Sequence, residues 1–268
     1  MFNHKEQLGF ATFAINSADT DYLRLAYMQA KNIKATQKNN RYAVIVDKAT
    51  AKEVTATMNE VFDYVVELPE SDIPAMSLEP YAFSLTPFKE TIKLESDLLF
   101  TRSIDHWLPA FRLCDVVLST GCKNYRGELS NVRKYRKMFD DNHLPDVYNG
   151  LMYFRYSRPA AEFFKTAFEI INSWDAVKSS LIGCDEEHPS TDVLYALTAH
   201  VMGREQCTIP SLDFINFVHM KSGIQNWSDA QSWLETVMHE QDGTMIRINN
   251  LNQYFPVHYF DKEYEIIN

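Results

Sequence analysis

The residues best suited to chemistry lie in the stretch Thr91-Ile92-Lys93-Leu94-Glu95-Ser96-Asp97-Leu98-Leu99-Phe100. A short run of strand character delivers two carboxylates, Glu95 and Asp97, and then turns apolar again. In extended backbone, residues two apart project to the same side. The two acids therefore point together at the carboxyl end of a strand, where open α/β sheets bind ligands. Paired hard oxygen donors there suit Mg²⁺ or Mn²⁺ carrying the phosphates of a nucleotide. The spacing alone is more often that of a solvated acidic turn. The surrounding elements decide between the two.

Those elements alternate. Gly9 to Asn16 reads as a buried strand, and Thr20 to Ile33 as a helix with Leu23, Ala26, Tyr27, Ala30 and Ile33 on one stripe, capped by Asp19 or Thr20. Tyr42 to Val46 is a second strand. Thr50-Ala51-Lys52-Glu53 is a capping box that opens a helix through Val61. Tyr64 to Leu68 is a third strand, closed by Pro69. Beyond the acidic triplet come a strand at Val116–Ser119 and another at Tyr148–Phe154. A helix begins at Ser157-Arg158-Pro159 with Phe164, Phe168 and Ile171 buried, and another runs from Ser190 to Met202, ended by Gly203. A last strand-like piece covers Tyr254–Phe260. Short all-apolar strands alternating with helices imply an α/β fold with a mostly parallel sheet covered on both faces.

Composition sets the outer bounds. With 268 residues, 46% of them hydrophobic and 23% charged, the chain has the make-up of an ordinary soluble globular protein. No apolar run is long enough to span a bilayer, so no membrane association is expected. Met1-Phe2-Asn3-His4-Lys5-Glu6 lacks the pattern of a secretory signal, and the expected location is cytoplasmic. Cys114, Cys122, Cys184 and Cys207 form no C-x-x-C pair, which points to reduced thiols and away from zinc. A net charge of −10 disfavours general affinity for nucleic acid. One segment departs from it: Lys123, Arg126, Arg133, Lys134, Arg136 and Lys137 face the single acid Glu128, with Tyr125 and Tyr135 interleaved. Such a segment suits a pyrophosphate or a nucleic-acid backbone, or is simply a solvated helix face.

In this order the features resemble a nucleotide-sugar glycosyltransferase of the GT-A fold, most similar to glycosyltransferase family 8 and its bacteriophage relatives. Four stretches carry the resemblance: the first strand ending Ala14-Ile15-Asn16; Thr91–Phe100 in the place of the D-x-D strand; Tyr148–Phe154, similar to the acceptor strand; and Val257-His258-Tyr259-Phe260 with Lys262, similar to the metal-binding histidine and its lysine. Glu95 replaces the usual first aspartate. Lys262 falls two positions early, and no glycine or tryptophan follows His258. The resemblance implies a Rossmann-like GT-A sheet flanked by helices in a single domain, 1–268. Its first hundred residues or so would bind the nucleotide sugar, and the remainder the acceptor.

The implied activity is metal-dependent transfer of a sugar from a nucleoside-diphosphate sugar, a UDP-sugar first of all, to a hydroxyl acceptor. A cation bridging the diphosphate stabilises the charge that develops on it as the anomeric bond breaks. Glu95, Asp97 and His258 are the implied ligands of Mn²⁺ or Mg²⁺, with a contact to the ribose open as an alternative for Glu95. Asn16, Tyr22, Glu95, Asn149, Gly150 and Lys262 are the implied donor contacts, and Asp192 the acid at the reacting sugar. By residue type alone, Asp192 is equally a first-turn helix acid, Gly150 a bulge and Tyr22 a core residue. The acceptor stays open. Phage relatives suggest a hydroxylated DNA base held by the six basic residues above, in host cytoplasm if the gene is phage-encoded. Two alternatives remain: a sugar-phosphate nucleotidyltransferase, disfavoured because Asn16-Ser17-Ala18-Asp19 offers no glycine or basic residue after the first strand, and a non-catalytic nucleotide-sugar-binding protein.

Overall fold

The strands written as continuous apolar runs are buried on both faces. All five residues of Tyr42–Val46 are inaccessible, and in Val147–Arg155 only Arg155 emerges. The computed structural model describes residues 6–69, 75–130, 136–208, 215–228 and 232–264. In chain order its strands are β1 (Glu6–Phe13), β2 (Tyr42–Val46), β3 (Tyr64–Glu67), β4 (Phe88–Leu94), β5 (Leu98–Leu99), β6 (Val116–Thr120), β7 (Val147–Arg155), β8 (Val218–His219), β9 (His239–Asp242), β10 (Met245–Ile248), β11 (Leu251–Asn252) and β12 (Val257–His258). Its helices are α1 (Tyr22–Thr36), α2 (Lys48–Ala51), α3 (Ala56–Asn59), α4 (Ala82–Leu85), α5 (Leu108–Phe111), α6 (Lys137–Asp141), α7 (Arg158–Asn172), α8 (Trp174–Ser179), α9 (Thr191–Met202), α10 (Arg204–Cys207) and α11 (Trp233–Thr236).

Six strands form the central sheet in the order β3-β2-β1-β4-β7-β6. β3, β2, β1 and β4 are parallel, and β7 runs antiparallel between β4 and β6. The mixed α/β architecture with a mostly parallel, helix-flanked sheet is therefore the observed fold. Period-two alternation splits each strand between two cores. Leu151 and Tyr153 of β7 pack with α1 and Trp107, while Met152 and Phe154 pack with α7 and α9. A small sheet, β5-β12-β8, lies just past the end of β4.

Several boundaries differ from expectation for local reasons. The first strand begins at Glu6 and ends at Phe13. α1 is capped by Asp21, whose side chain accepts from the Arg24 amide, so neither Asp19 nor Thr20 is the cap. The expected helix from Thr50 is replaced by two one-turn helices: Asp47 caps α2, and Thr55 caps α3. Thr50 is spent elsewhere, its hydroxyl accepting from the Asn16 amide at 3.0 Å. Ser157 caps α7 as expected, but the buried stripe is Ala160, Phe163, Phe164, Ala167 and Ile170; Phe168 and Ile171 are only partly covered. α9 stops at Gly203, whose φ of +97° is open to glycine and strained for other residues. Of Tyr254–Phe260, only Val257–His258 pairs as a strand.

Candidate functional site

β4 is central, so the loop after it opens at the middle of the sheet's carboxyl edge. Thr12 fixes that edge by donating its hydroxyl to the Leu94 carbonyl at 2.7 Å. The Glu95–Asp97 turn is then held from below. The buried Gln29 of α1 donates to the carbonyls of Glu95 and Leu98 at 2.6 and 2.7 Å, and receives Tyr42 Oη at 2.8 Å. Gln29 was not among the candidates, although a glutamine between Ala26 and Ile33 on an apolar stripe is a readable signal. It adds a second donor to the Glu95 carbonyl, which already takes the Leu98 amide at 3.2 Å, and so braces both ends of the turn.

The small sheet brings the C-terminal segment to this turn. β12 pairs antiparallel with β5, His258 opposite Leu98, and the Tyr259 amide continues the ladder to the Asp97 carbonyl at 3.0 Å. His258 Nε2 thus lies 3.0 Å from Asp97 Oδ1 and 3.1 Å from Glu95 Oε2. Among the described residues, Glu95, Asp97 and His258 form a group whose ligand atoms all fall within 4.8 Å of one another. Asp97 is buried, and Glu95 keeps a third of its side chain exposed. Lys262 pairs with the other oxygen of Asp97. Its reach despite the short spacing comes from Phe260, whose φ of +64° turns the chain back. A bulky residue adopts that conformation only where its surroundings enforce it.

The electrostatics are those of a site held closed by its own cations. Burial opposes charge on His258, but Asp97 and then Glu95 outweigh it and raise the imidazole to about 10. Burial likewise opposes charge on Asp97 and Glu95, yet His258 holds both below the ordinary carboxylate range, with Lys262 assisting at Asp97. His219 stacks on His258 at 4.3 Å and 13°. Burial first and His258 second push His219 well below its usual value, so it stays neutral and does not repel its neighbour. Nδ1 of His258 is buried without a hydrogen-bond partner. The ring is therefore oriented by the carboxylates and the stack.

A pH dependence follows for the metal-free protein. A group raised from 6.5 to about 10 stabilises the fold fully below its unfolded value, and that contribution is lost as pH rises through about 10. The lowered carboxylates act on the other side: their contribution is present above the ordinary carboxylate range and lost as pH falls below it. Thermal melts in EDTA should therefore show a plateau between about pH 5 and pH 6.5 that falls on both sides. A melting temperature still rising between about pH 8 and pH 10 would contradict the arrangement.

A cleft of about 510 Å³ opens over the turn, within the range of small-molecule sites. Glu95, Ser96 and Asp97 line it together with Glu79, Thr191 and Lys262. Its apolar lining includes Phe13, Ile15, Tyr22 and Phe260. Of the sequence candidates, Tyr22, Glu95, Asp97 and Lys262 meet here, with His258 in contact with both carboxylates. Lys262 also sits 5.7 Å from the Tyr22 ring centroid. Because Lys262 and Thr191 join residues of the first hundred in one wall, the cleft crosses the expected division into donor and acceptor halves.

The remaining candidates, Asn16, Asn149, Gly150 and Asp192, are not on the cleft lining, and their contacts are within the protein. Asn16 bonds Glu53 at 2.8 Å and caps the Leu23 amide at 2.9 Å, tying the loop after β1 to α1 and the α2 region. Gly150 faces Phe217: a Cβ there would lie 2.8 Å from that ring, so close packing favours a glycine at this position. Asn149 donates its Nδ2 to Glu79 at 2.7 Å. Asp192 accepts the Asn149 amide at 2.7 Å and Arg136 at 2.9 Å, holding the start of β7. Burial raises the Asp192 carboxyl; Arg136 opposes that and Glu95 adds to it.

Two cations of the basic segment are turned inward. Arg136 is buried, bonded to Asp146, Asp192 and the Val147 carbonyl. Lys123 is buried too, its Nζ bonded to the Gly127 carbonyl and 4.8 Å from the Phe255 ring. Lys137 pairs with Asp141 at 3.7 Å, and Arg126 lies against Tyr125. Arg133, Lys134 and Tyr135 lie outside the described residues. Charge counted along the sequence cannot see that two of its cations are turned inward.

No family model and no curated protein matches the chain. Solved structures of loosely similar shape include glycosyltransferases. GlyE of Streptococcus pneumoniae TIGR4 has a TM-score of 0.47 at 9% identity, over 77% of this chain and 46% of that one. The bifunctional glycosyltransferase WbbM has 0.47 at 11%, over 81% and 40%. Mouse xyloside xylosyltransferase 1 has 0.45 at 7%, over 76% and 84%. This chain thus spans less than half the length of GlyE or WbbM. At so loose a likeness, function rests on the cleft's own residues. No helix among the described residues is long and apolar enough to cross a membrane.

Proposed function

We propose that the chain is a metal-dependent glycosyltransferase that takes a nucleoside-diphosphate sugar, a UDP-sugar first of all, and transfers the sugar to a hydroxyl. The observation that carries this reading is the convergence of Glu95, Asp97 and His258 on one point at the end of β4, beneath a ligand-sized cleft. Two carboxylates and one imidazole fit a divalent ion with hard-to-borderline preferences, Mn²⁺ ahead of Mg²⁺. His258 Nε2 already faces both acids, so an ion can replace the imidazole proton without rebuilding the site. When bound, the ion supplies Lewis-acid stabilisation of charge on the departing diphosphate.

The protein's own residues do the rest. Lys262 bridges Asp97 and the cleft wall, where its ammonium can turn to a phosphate oxygen once a cation satisfies Asp97. Tyr22 and Phe260 offer aromatic faces for the flat part of the donor. The Ile15, Phe13 and Leu94 side chains narrow the cleft and exclude water from the leaving group. The acceptor is a hydroxyl; with Lys123 and Arg136 buried, the described residues give no reason to prefer a DNA base to a sugar. Titration calorimetry with UDP in Mn²⁺ and in EDTA tests the reading. Equal affinity in the two buffers, or no binding in either, would overturn it.

A further inference from the structure

Glu79 lines the same cleft as Glu95 and Asp97, although no sequence motif marks it. It lies in a 3-10 turn, Ala75–Tyr81, ahead of β4. Its Oε2 takes two donors at once, Asn149 Nδ2 at 2.7 Å and the ammonium of Lys93. Lys93 points from β4 into the interior with 1% of its side chain exposed. Burying an ammonium is costly, and an apolar pair would serve stability as well or better. Asn149 adds to that cost. With Nδ2 committed to Glu79 its amide cannot be flipped, and Oδ1 is left buried without a partner. Two donors are thus gathered on one oxygen of a carboxylate whose other oxygen, Oε1, has no partner among the described residues.

Glu79 shares the cleft wall with two further carboxylates, Glu95 and Asp97. Burial raises the Glu79 carboxyl; Lys93 opposes that and Glu95 adds to it. A neutral ring with hydroxyls gains from such an acceptor; a ring bearing its own carboxylate is repelled. On the donor-cleft reading above, on which this rests, we propose that Glu79 Oε1 accepts a hydroxyl of the donor's sugar ring. The site therefore takes neutral sugars and rejects uronic ones.

The test compares UDP, UDP-glucose and UDP-glucuronate by calorimetry in Mn²⁺. The wild-type protein should bind UDP-glucose at least about tenfold more tightly than UDP-glucuronate. Changing Glu79 alone would strand the Lys93 ammonium, so the informative variant is Glu79→Gln with Lys93→Met, which removes both charges. It should bind UDP as the wild type does, lose about tenfold in affinity for UDP-glucose, and discriminate between the two sugars by about threefold or less. Unchanged discrimination in the variant overturns the proposal while leaving the donor reading intact. So does a wild-type protein that binds both sugars equally, a comparison that needs no variant. A wild-type protein that binds no UDP in Mn²⁺ overturns the donor reading and this inference with it.

Discussion

Asp97→Asn should weaken Mn²⁺-dependent binding of UDP by at least about 100-fold while leaving the fold in place. The size follows from position: changes one shell out from a metal typically cost 10–100-fold, and Asp97 is a proposed direct ligand. Asparagine keeps the volume but removes the charge that both His258 and Lys262 face. Calorimetry in Mn²⁺ checks it, with circular dichroism as the control for folding. His258→Ala should act through the same ion, so the double variant should lose far less than the sum of the single losses. Fully additive losses would place His258 outside the metal site. A wild-type-like affinity in Asp97→Asn would remove the metal reading altogether.

What the sequence makes legible divides along physical lines. β2 is readable because a strand buried on both faces is apolar throughout, and β7 because its Leu151–Phe154 half is; no tertiary contact is needed to see either. α7 is readable from its serine cap and following proline. The Glu95–Asp97 pair is readable as two acids at a strand end, though not for the expected reason. The strand stops at Leu94, and the two carboxylates meet across a turn closed by the Leu98 amide on the Glu95 carbonyl. His258 lies 161 residues beyond Asp97, and composition says nothing about that approach; only the resemblance suggested it, and the β5–β12 pairing shows how it is made. Glu79 had no signal. A glutamate in an irregular turn looks like any surface acid until Lys93 and Asn149 close on it. The basic segment is legible only in part for the opposite reason: its charges are evident along the chain, but the inward direction of Lys123 and Arg136 is not. Thr50 shows the same thing on a small scale, since a good cap sequence lost its helix to a tertiary hydrogen bond with Asn16.

Arg136 gives the sharpest contrast between the two readings. As part of a phosphate-binding surface, its removal would lower affinity for DNA and leave stability alone. The structure predicts the reverse. The guanidinium has 4% of its side chain exposed, and it lies 3.8 Å from the Phe139 ring and 3.9 Å from the Tyr148 ring. It bonds Asp146 at 2.7 Å and Asp192 at 2.9 Å, and it takes the Val147 carbonyl as well. Arg136→Met keeps much of the stem but leaves two carboxylates facing each other without their cation. Breaking a buried pair in this way costs about 3–5 kcal/mol. At about 2–4 °C per kcal/mol for a chain of this size, the melting temperature should fall by roughly 10 °C. Arg136→Lys should recover little, because an ammonium cannot fork to three acceptors between two rings. Affinity for UDP, measured well below the melting range, should change by less than about threefold, since Arg136 reaches the cleft only through Asp192. An unchanged melting temperature in Arg136→Met would contradict the buried role of Arg136 between Asp146 and Asp192.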